Sequence, residues 1–306
     1  MTSINPELTS ADPEQPTGVE PAGPGMLAHA ARRMLRNPVV IACLVVLGAL
    51  VVLALFGRWI APHGINDTDV ANAFAPPSWA HPMGTDNLGR DTWSRIIHSA
   101  GATLQVSALS VGIAMLVGIP MGLVAGYYRG WVDAVLMRLV DTMFAFPVML
   151  LAIAIVAVLG PGLTTAIIAI GVVYTPIFAR VTRGSVLQVR EEPYIRAQVA
   201  LGAGDGRIIT RHVLPNVSAP IIVQTSLSFA FAILSEAALS FLGLGVQPPN
   251  PSWGRMLFEA KEFPDQSVWM SLFPGLAIFV TVLAFNLLGD ALRDALDPKS
   301  ITREEA

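Results

Sequence analysis

The feature that most limits how this chain can fold is a set of long stretches without any charged residue. Asp, Glu, Lys and Arg are absent from residues 39–57, 101–128, 142–179, 213–235 and 266–289. About 20 consecutive apolar residues in a helix are enough to cross a bilayer. The chain is also 53% hydrophobic and only 13% charged, against about 25% charged residues in average soluble domains. We therefore predict an all-α, multi-pass membrane protein.

The uncharged stretch 142–179 is too long for one span. Gly160, Pro161 and Gly162 divide it in two, because a Gly/Pro cluster is a strong turn signal, and the chain is then predicted to cross the membrane six times. Lys and Arg are enriched in cytoplasmic loops. If the segment before the first span is cytoplasmic, fourteen of the 19 basic residues lie on the cytoplasmic side. We expect both termini in the cytoplasm.

The chain divides into four predicted regions. Residues 1–25 are rich in proline and contain no basic residue, which is typical of a disordered tail rather than a signal peptide. The predicted regions are a disordered cytoplasmic tail (1–28), an N-terminal span with its outer loop (29–98), a domain of five transmembrane helices (99–292) and a cytoplasmic C-terminal tail (293–306).

Apolar and small residues recur at helical spacing in three places. Two sets predict amphipathic helices at the outer membrane surface: Trp93, Ile96, Ile97, Ala100 and Leu104, and Trp253, Met256, Leu257 and Ala260. The third set, Gly118, Gly122 and Gly126, forms a ridge of small residues in the second span. Such a ridge lets another helix approach closely, so we predict that it packs within the bundle.

A polar segment at residues 193–216 separates two apolar runs. Pro193 suits a first helical turn, Gly202 and Gly204 break the helix, and Asp205 can cap a second helix that Pro215 ends. We predict two short helices that meet at a glycine bend. Neither helix can span the bilayer, so they lie on the membrane or dock onto another protein. Periodicity alone favours the membrane surface, because basic amphipathic helices usually lie there.

Sequence motifs for catalysis are missing. The chain has no GxxxxGK[ST] phosphate loop and no Gly-x-Ser-x-Gly. Its five histidines show no HExxH pairing and are scattered over several segments, so no metal site is predicted. We predict no catalytic residue and no cofactor bound by this chain. If the protein transports a solute uphill, another chain must handle the energy source.

The segment 193–216 resembles the cytoplasmic EAA loop of ABC-importer permeases, whose pattern is Glu-Ala-Ala, three residues, Gly, nine residues, then Ile-x-Leu-Pro. Here Arg-Ala-Gln stands at 196–198, Gly202 at the glycine, and His-Val-Leu-Pro at 212–215, with the spacing intact. Three further stretches, HPMGTDNLGRDTWSRI, EAALSFLGLGVQPPNPSWG and NLLGDALRDALDPK, are similar to the C-type subunit of the dipeptide/oligopeptide/nickel permease family. The resemblance covers roughly residues 30 to 300.

The resemblance implies a type I importer half-channel in a bacterial cytoplasmic membrane. Its partners would be a homologous B-type permease, two cytoplasmic ATPases that bind ATP and Mg²⁺, an extracytoplasmic substrate-binding protein and membrane lipid, with no nucleic acid. The cargo would be di- or oligopeptides, with nickel or another small solute as the alternative. The loop would be a coupling helix against an ATPase, through Tyr194, Ala197, Leu201, Gly202, Ala203, Asp205 and Pro215.

The resemblance also implies a role for both outer loops. We expect Trp93 and Trp253 to face the binding protein, with the first loop fixed by Asp86, Arg90 and Asp91, unless Arg90 and Asp91 only form an ion pair.

Glu236 lies among apolar residues near Ser240. An intramembrane carboxylate is costly, so we expect Glu236 and Ser240 to face the channel or the partner permease. The alternative is that the helix ends near Glu236, at the outer interface.

Two other classes of protein stay open. A secondary carrier or channel would work without ATP, but such proteins usually show internal repeats and several ionisable residues inside the membrane. No internal repeat is visible here, and only Glu236 lies deep among apolar residues. A membrane-embedded enzyme is a more distant alternative, because no nucleophile and base are paired in the sequence.

Overall fold

The computed structural model describes residues 37–296, and the predicted tail at 1–28 lies outside that range. Within it the regular elements are helical, apart from one isolated bridge between Thr85 and Asp91. The longer helices are α1 Pro38–Ile60, α2 Thr92–Tyr128, α3 Gly130–Phe144, α4 Val148–Leu159, α5 Leu163–Val189, α9 Ser218–Phe241 and α11 Trp269–Leu296. The shorter ones are α6 Pro193–Ala200, α7 Asp205–Ile208, α8 Leu214–Asn216 and α10 Trp253–Ala260.

Five of the described helices are long and apolar enough to cross a membrane, namely α1, α2, α5, α9 and α11. The count becomes six if α3 and α4 are taken as one span, although they meet at an angle of 89°. The sequence predicts a span within residues 142–159, but the structure has a break there, since α3 ends at Phe144 and α4 begins at Val148. The helix breaks because Pro147 disfavours helical geometry at the preceding Phe146. The predicted turn after α4 is confirmed, with Gly160 at φ +91°.

The glycine ridge of α2 packs against α5. A Cβ atom at Gly118 would lie 2.6 Å from the carbonyl oxygen of Thr175, and one at Gly122 would lie 2.5 Å from that of Ala179. These separations leave room for a hydrogen atom and for no larger side chain. The prediction of close packing within the bundle is therefore confirmed.

The order of these contacts shows that α2 and α5 run parallel, because positions further along α2 meet positions further along α5. Two parallel helices need a connection that returns to the starting end, and α3 and α4 provide it. We call the two ends of the bundle the Gly202 end, where α2 and α5 finish, and the Trp253 end, where they begin. At the Trp253 end, the N–H of Gly162 donates to the carbonyl oxygen of Leu244 over 3.3 Å.

Two predicted region boundaries fall inside helices. The expected division between residues 98 and 99 lies within α2, which begins at Thr92 because the Asp91 side chain caps its first turn. The amphipathic stretch that contains Trp93 is therefore the first part of a long helix and not a separate surface helix. The predicted C-terminal tail starts at 293, but α11 continues to Leu296, and the remaining tail residues lie outside the described range.

Candidate coupling loop and the opposite end of the bundle

The loop at the Gly202 end begins with a helix that glycine terminates. Gly202 has φ +77°, in the left-handed region that only glycine adopts freely. Its N–H donates to the carbonyl of Val199 over 3.0 Å, and the N–H of Ala203 donates to that of Gln198 over 3.1 Å. These two bonds form a Schellman motif, which satisfies carbonyls at the end of α6. The predicted glycine bend is confirmed.

A small apolar core lies beneath the loop. The buried members from the loop are Ile195, Ile208 and Val213, and they pack with Leu123 and Tyr127 of α2 and Val186 of α5. Ile195 was not singled out from the sequence, although it is only 1% exposed. Its spacing of 13 residues from Ile208 across a glycine bend gives no periodic signal. Through this core, α6 and α7 pack against the ends of α2 and α5.

The residues of the predicted face, Tyr194, Ala197 and Leu201, differ in exposure. Tyr194 is half-buried at the edge of this core, whereas Ala197 is exposed and Leu201 is 81% exposed. Val199, also in α6, is 57% exposed. The loop therefore buries Ile195, Ile208 and Val213 and leaves Val199 and Leu201 exposed.

Polar contacts join the loop to α2 and to the α2–α3 turn. The hydroxyl of Tyr127 donates to Oδ1 of Asp205 over 2.9 Å. Glu191 accepts from Arg129 over 2.6 Å and from Arg196 over 2.9 Å. The hydrogen bond and charge of Arg129 lower the pKa of Glu191, so its carboxylate stays ionised at neutral pH. The start and the middle of the loop are thus attached to the end of α2.

The second part of the loop differs from the predicted short helix. Pro215 does not end it, because α8 extends from Leu214 to Asn216 and α9 begins two residues later. A π-helical turn at Ile209–Val213 precedes the proline. Proline lacks an N–H and its ring crowds the carbonyl four residues earlier, so a wider turn allows the helix to continue through it.

The Trp253 end is held by a buried network of charges. Arg90 donates to Asp86 over 2.6 Å and to Glu259 of α10 over 2.8 Å. Arg95, which is 3% exposed, contacts the same two carboxylates. The expected alternative, an Arg90–Asp91 ion pair, is wrong, because Asp91 accepts from the N–H and the hydroxyl of Ser94 over 2.8 and 2.6 Å. Asp86, Arg90 and Asp91 do fix the first loop, as predicted.

The two tryptophans at this end lie deeper than predicted. Trp253 is 3% exposed, and its indole N–H donates to the carbonyl of Ile96 over 3.2 Å. Trp93 is half-buried. Trp253 therefore cannot form an outer rim, because α10 turns its apolar face onto the core that it shares with α2. The placement of the binding protein against these loops stays a prediction.

Glu236 and Ser240 lie inside the subunit. Both are 0% exposed, and the Ser240 hydroxyl donates to Oε1 of Glu236 over 2.7 Å while accepting from the N–H of Val246 over 3.1 Å. The predicted position facing the channel or the partner permease is wrong, because neither side chain reaches the surface of the subunit. The alternative, that the helix ends near Glu236, agrees with the end of α9 at Phe241, although Glu236 is enclosed there. The chain after α9 folds back over this site, with Gly254 against the backbone of Ala237.

Two other members of the charge network were not predicted from the sequence. Arg95 and Glu259 sit among polar and apolar neighbours in segments that are 164 residues apart. An arginine close to the start of an apolar span was the available signal for Arg95, since arginine is rarely buried without a partner. Nothing in the sequence identifies the partner, because the contact depends on how the loop before α2 packs against α10.

Comparison with known proteins places the chain in a family. The model of the inner membrane component of binding-protein-dependent transport systems matches residues 118–302. The model of the N-terminal TM domain of oligopeptide transport permease C matches residues 25–77. Together they cover most of the chain.

Several transport permeases are similar over most of their length. The dipeptide transport system permease protein DppC of Alkalihalophilus pseudofirmus is 45% identical over 297 residues, which cover 97% of this chain and 96% of the relative. The glutathione transport system permease protein GsiD of Pectobacterium atrosepticum is 44% identical over 269 residues, covering 88% and 89%. The di/tripeptide transport system permease protein DppC of Pseudomonas aeruginosa is 47% identical over 256 residues, covering 82% and 84%.

Solved structures share the fold at lower identity. An inward-facing structure of the MetNI methionine ABC transporter matches with a TM-score of 0.56 and 16% identity, covering 66% of this chain and 96% of that chain. An amino acid ABC transporter solved with histidines gives a TM-score of 0.52 and 17% identity, covering 67% and 93%. The chain belongs to the family of inner-membrane components of binding-protein-dependent transport systems, and it is a multi-pass inner-membrane protein.

Proposed function

We propose that the chain is the permease subunit of an ATP-driven importer and forms half of the translocation path for di- or oligopeptides that a binding protein delivers. The family match supports the importer role. The peptide cargo is supported by relatives at 45% and 47% identity, named as dipeptide and di/tripeptide permeases. Selection of a particular peptide is assigned to the binding protein.

The proposed topology has six crossings and both termini in the cytoplasm. The parallel packing of α2 and α5 supports a crossing by the α3–α4 segment between them. The Gly202 end is assigned to the cytoplasm because Arg129, Arg183, Arg190, Arg196, Arg207 and Arg211 lie in or beside its loops. The Trp253 end, with its buried charge network, then faces outward.

The proposed role of the Gly202 loop is to receive motion from an ATPase. Val199 and Leu201 offer exposed apolar surface at the C-terminal end of α6, while Ile195 and Ile208 pack against α2 and α5. A displacement of α6 would therefore move the ends of α2 and α5 with it, since packed side chains transmit displacement. Shifting a conformational equilibrium of the permease from 1:99 to 99:1 requires about 5.5 kcal/mol. The packing between α6 and the ends of α2 and α5 must therefore transmit a free-energy difference of that size.

The proposed assembly contains several chains. A homologous but non-identical permease would complete the path, two cytoplasmic ATPases would bind ATP and Mg²⁺, and an extracytoplasmic protein would deliver substrate. This chain would bind no cofactor and no nucleic acid itself and would hydrolyse nothing. The name of the family supports a binding-protein partner in general terms.

The single observation that carries the proposal is the match at 45% identity over 97% of the chain to a dipeptide permease. The test is uptake of a labelled dipeptide into proteoliposomes that contain the complete complex with ATP inside or outside. We expect uptake only when the binding protein and ATP are present on opposite sides of the membrane. Uptake driven by a proton gradient without ATP would identify a secondary carrier, and ATP-driven uptake of a non-peptide solute alone would refute the cargo assignment.

A further inference from the structure

The fold brings two histidines and an aspartate together at the Trp253 end. His63 follows α1, His81 lies in the loop before α2, and Asp91 caps α2. One ligand atom from each residue lies within 4.8 Å of the other two. We propose that His63, His81 and Asp91 bind a divalent transition-metal ion. This site was not predicted from the sequence, because the three residues are 18 and 10 positions apart with no ligand motif.

The distances suit tetrahedral coordination. Zn²⁺ binds imidazole nitrogen and carboxylate oxygen at about 2.0–2.2 Å, so neighbouring ligand atoms in a tetrahedron are about 3.3 Å apart. Nδ1 of His81 lies 3.0 Å from Oδ1 of Asp91, and Nδ1 of His63 lies 3.6 Å from Oδ2 of the same carboxylate. The two imidazole rings lie 5.2 Å apart between centroids.

The atoms around the cluster favour a ligand at this position. Nδ1 of His63 is buried and has no hydrogen-bond partner among the described residues, which is uncommon for a buried polar atom. The Ser94 hydroxyl donates to Asp91 over 2.6 Å and accepts from the backbone N–H of His63 over 3.1 Å. This contact orients the Asp91 carboxylate, as the second layer of residues does around metal ions in proteins, and holds the backbone of His63 beside it.

The donor set selects the class of ion. Two imidazoles and one carboxylate suit zinc and neighbouring transition metals, whereas Mg²⁺ and Ca²⁺ prefer sites made of oxygen ligands. Water can occupy the fourth position, because His63 is partly exposed. The bound ion would tie residues 63 and 81 to the first turn of α2, beside the Arg90–Glu259 contact that joins the two outer loops. The site is independent of the proposed cargo and energy source.

The test is Zn²⁺ binding to the full-length protein, purified in complex through a tag that contains no histidine. After treatment with a chelator, Zn²⁺ is titrated against a chromophoric competitor, and retained metal is measured by mass spectrometry. The informative variant is His63→Phe, which keeps the ring beside His81 and removes a nitrogen that has no other partner. The matched control is His212→Phe, at the Gly202 end, and Mg²⁺ and Ca²⁺ serve as control ions.

We expect about one equivalent of Zn²⁺ per chain, a loss of at least about tenfold in affinity for His63→Phe, and a change within about twofold for His212→Phe. His81→Phe should lose affinity as well. Zn²⁺ should raise the unfolding temperature of the wild type and of His212→Phe, but not that of the His63 and His81 variants. Equal Zn²⁺ affinity in the wild type and His63→Phe would overturn the proposal, as would tighter binding of Mg²⁺ than of Zn²⁺. In that case His81 and Asp91 form only a structural hydrogen bond.

Discussion

The hydroxyl of Tyr127 donates to Oδ1 of Asp205 over 2.9 Å, joining the last turn of α2 to the first turn of α7. Tyr127 is 7% exposed and belongs to the apolar core under the Gly202 loop, whereas Asp205 is exposed. The bond therefore reaches from the core of the bundle to the outer layer of the loop. It gives the loop a direct polar connection to the helix that carries the glycine ridge.

Removing this hydroxyl should weaken the attachment without disturbing the core. We expect Tyr127→Phe to lower the free energy of unfolding by about 1 kcal/mol, because the ring stays in place and one hydrogen bond is lost. Denaturant unfolding of the purified complex in detergent measures this. Tyr128→Phe is the control, since Tyr128 is 50% exposed, and its change should stay within about 0.5 kcal/mol. Equal losses in both variants would show that the bond contributes nothing.

The glycine ridge should tolerate no added methyl group at its centre. A Cβ at Gly122 would lie 2.5 Å from the carbonyl oxygen of Ala179 and 2.6 Å from Cβ of Thr182. We expect Gly122→Ala to cost about 1–3 kcal/mol, because backbone must move to relieve the overlap. Gly112 lies in the same helix with nothing within 4 Å of its Cβ position, so Gly112→Ala should be neutral or stabilising by about 0.5–1 kcal/mol.

The same unfolding experiment compares both glycine variants. If Gly122→Ala matched Gly112→Ala in stability, α2 and α5 would not be in fixed contact at this position. That result would also remove the support that parallel packing gives to the proposed topology.

Features that depend on residues close together in the sequence were predicted correctly. Features that depend on packing between distant segments were not. The Gly202 bend and the Gly118–Gly126 ridge follow from backbone requirements of glycine, which a sequence displays directly. The inward position of Glu236 depends on a chain segment that folds back after α9. An apolar stretch looks the same whether it faces lipid, a partner or the core of its own subunit, so burial could not be predicted for Trp253.

The charge network at the Trp253 end should be sensitive to the loss of one carboxylate. Glu259 accepts from Arg90 over 2.8 Å and from Arg95 over 3.0 Å. Glu259→Gln leaves Asp86 as the remaining carboxylate that Arg90 and Arg95 share. We therefore expect the free energy of unfolding to fall by about 2 kcal/mol. Glu262→Gln, at an exposed position nearby, should stay within about 0.5 kcal/mol. A harmless Glu259→Gln would mean that the loops are held by apolar contacts alone.

The buried position of Glu236 changes what its variants should do. Glutamine has the same size and keeps an oxygen that can accept from Ser240, so we expect Glu236→Gln to retain uptake and to change stability by less than about 1 kcal/mol. Glu236→Ala would leave a cavity at a site that is 0% exposed and should cost about 3 kcal/mol. Uptake and unfolding are measured on the same preparations. Loss of uptake in Glu236→Gln with unchanged stability would show that this residue acts in transport.

Charging Ile208 would not reveal whether the Gly202 loop rests on lipid or on a protein. Ile208 is 0% exposed within the core under the loop, so a charge there would disrupt folding in either case. Gly202 is better suited, because no atom of the described residues 37–296 lies within 4 Å of its Cβ position, and a substitution acts through the backbone. Valine at φ +77° should cost about 1–3 kcal/mol of local strain or reorient α6. Gly204, at φ −68°, provides the control Gly204→Ser.

The most direct test of the coupling role is ATP hydrolysis by the reconstituted complex, measured with and without substrate-loaded binding protein. The wild type and Gly204→Ser should both be stimulated. Gly202→Val should reach the membrane and pair with its partner permease, yet bind the ATPase weakly or show no stimulation. Stimulation of Gly202→Val equal to that of the wild type would contradict the assignment of this loop as the connection between nucleotide hydrolysis and the membrane helices.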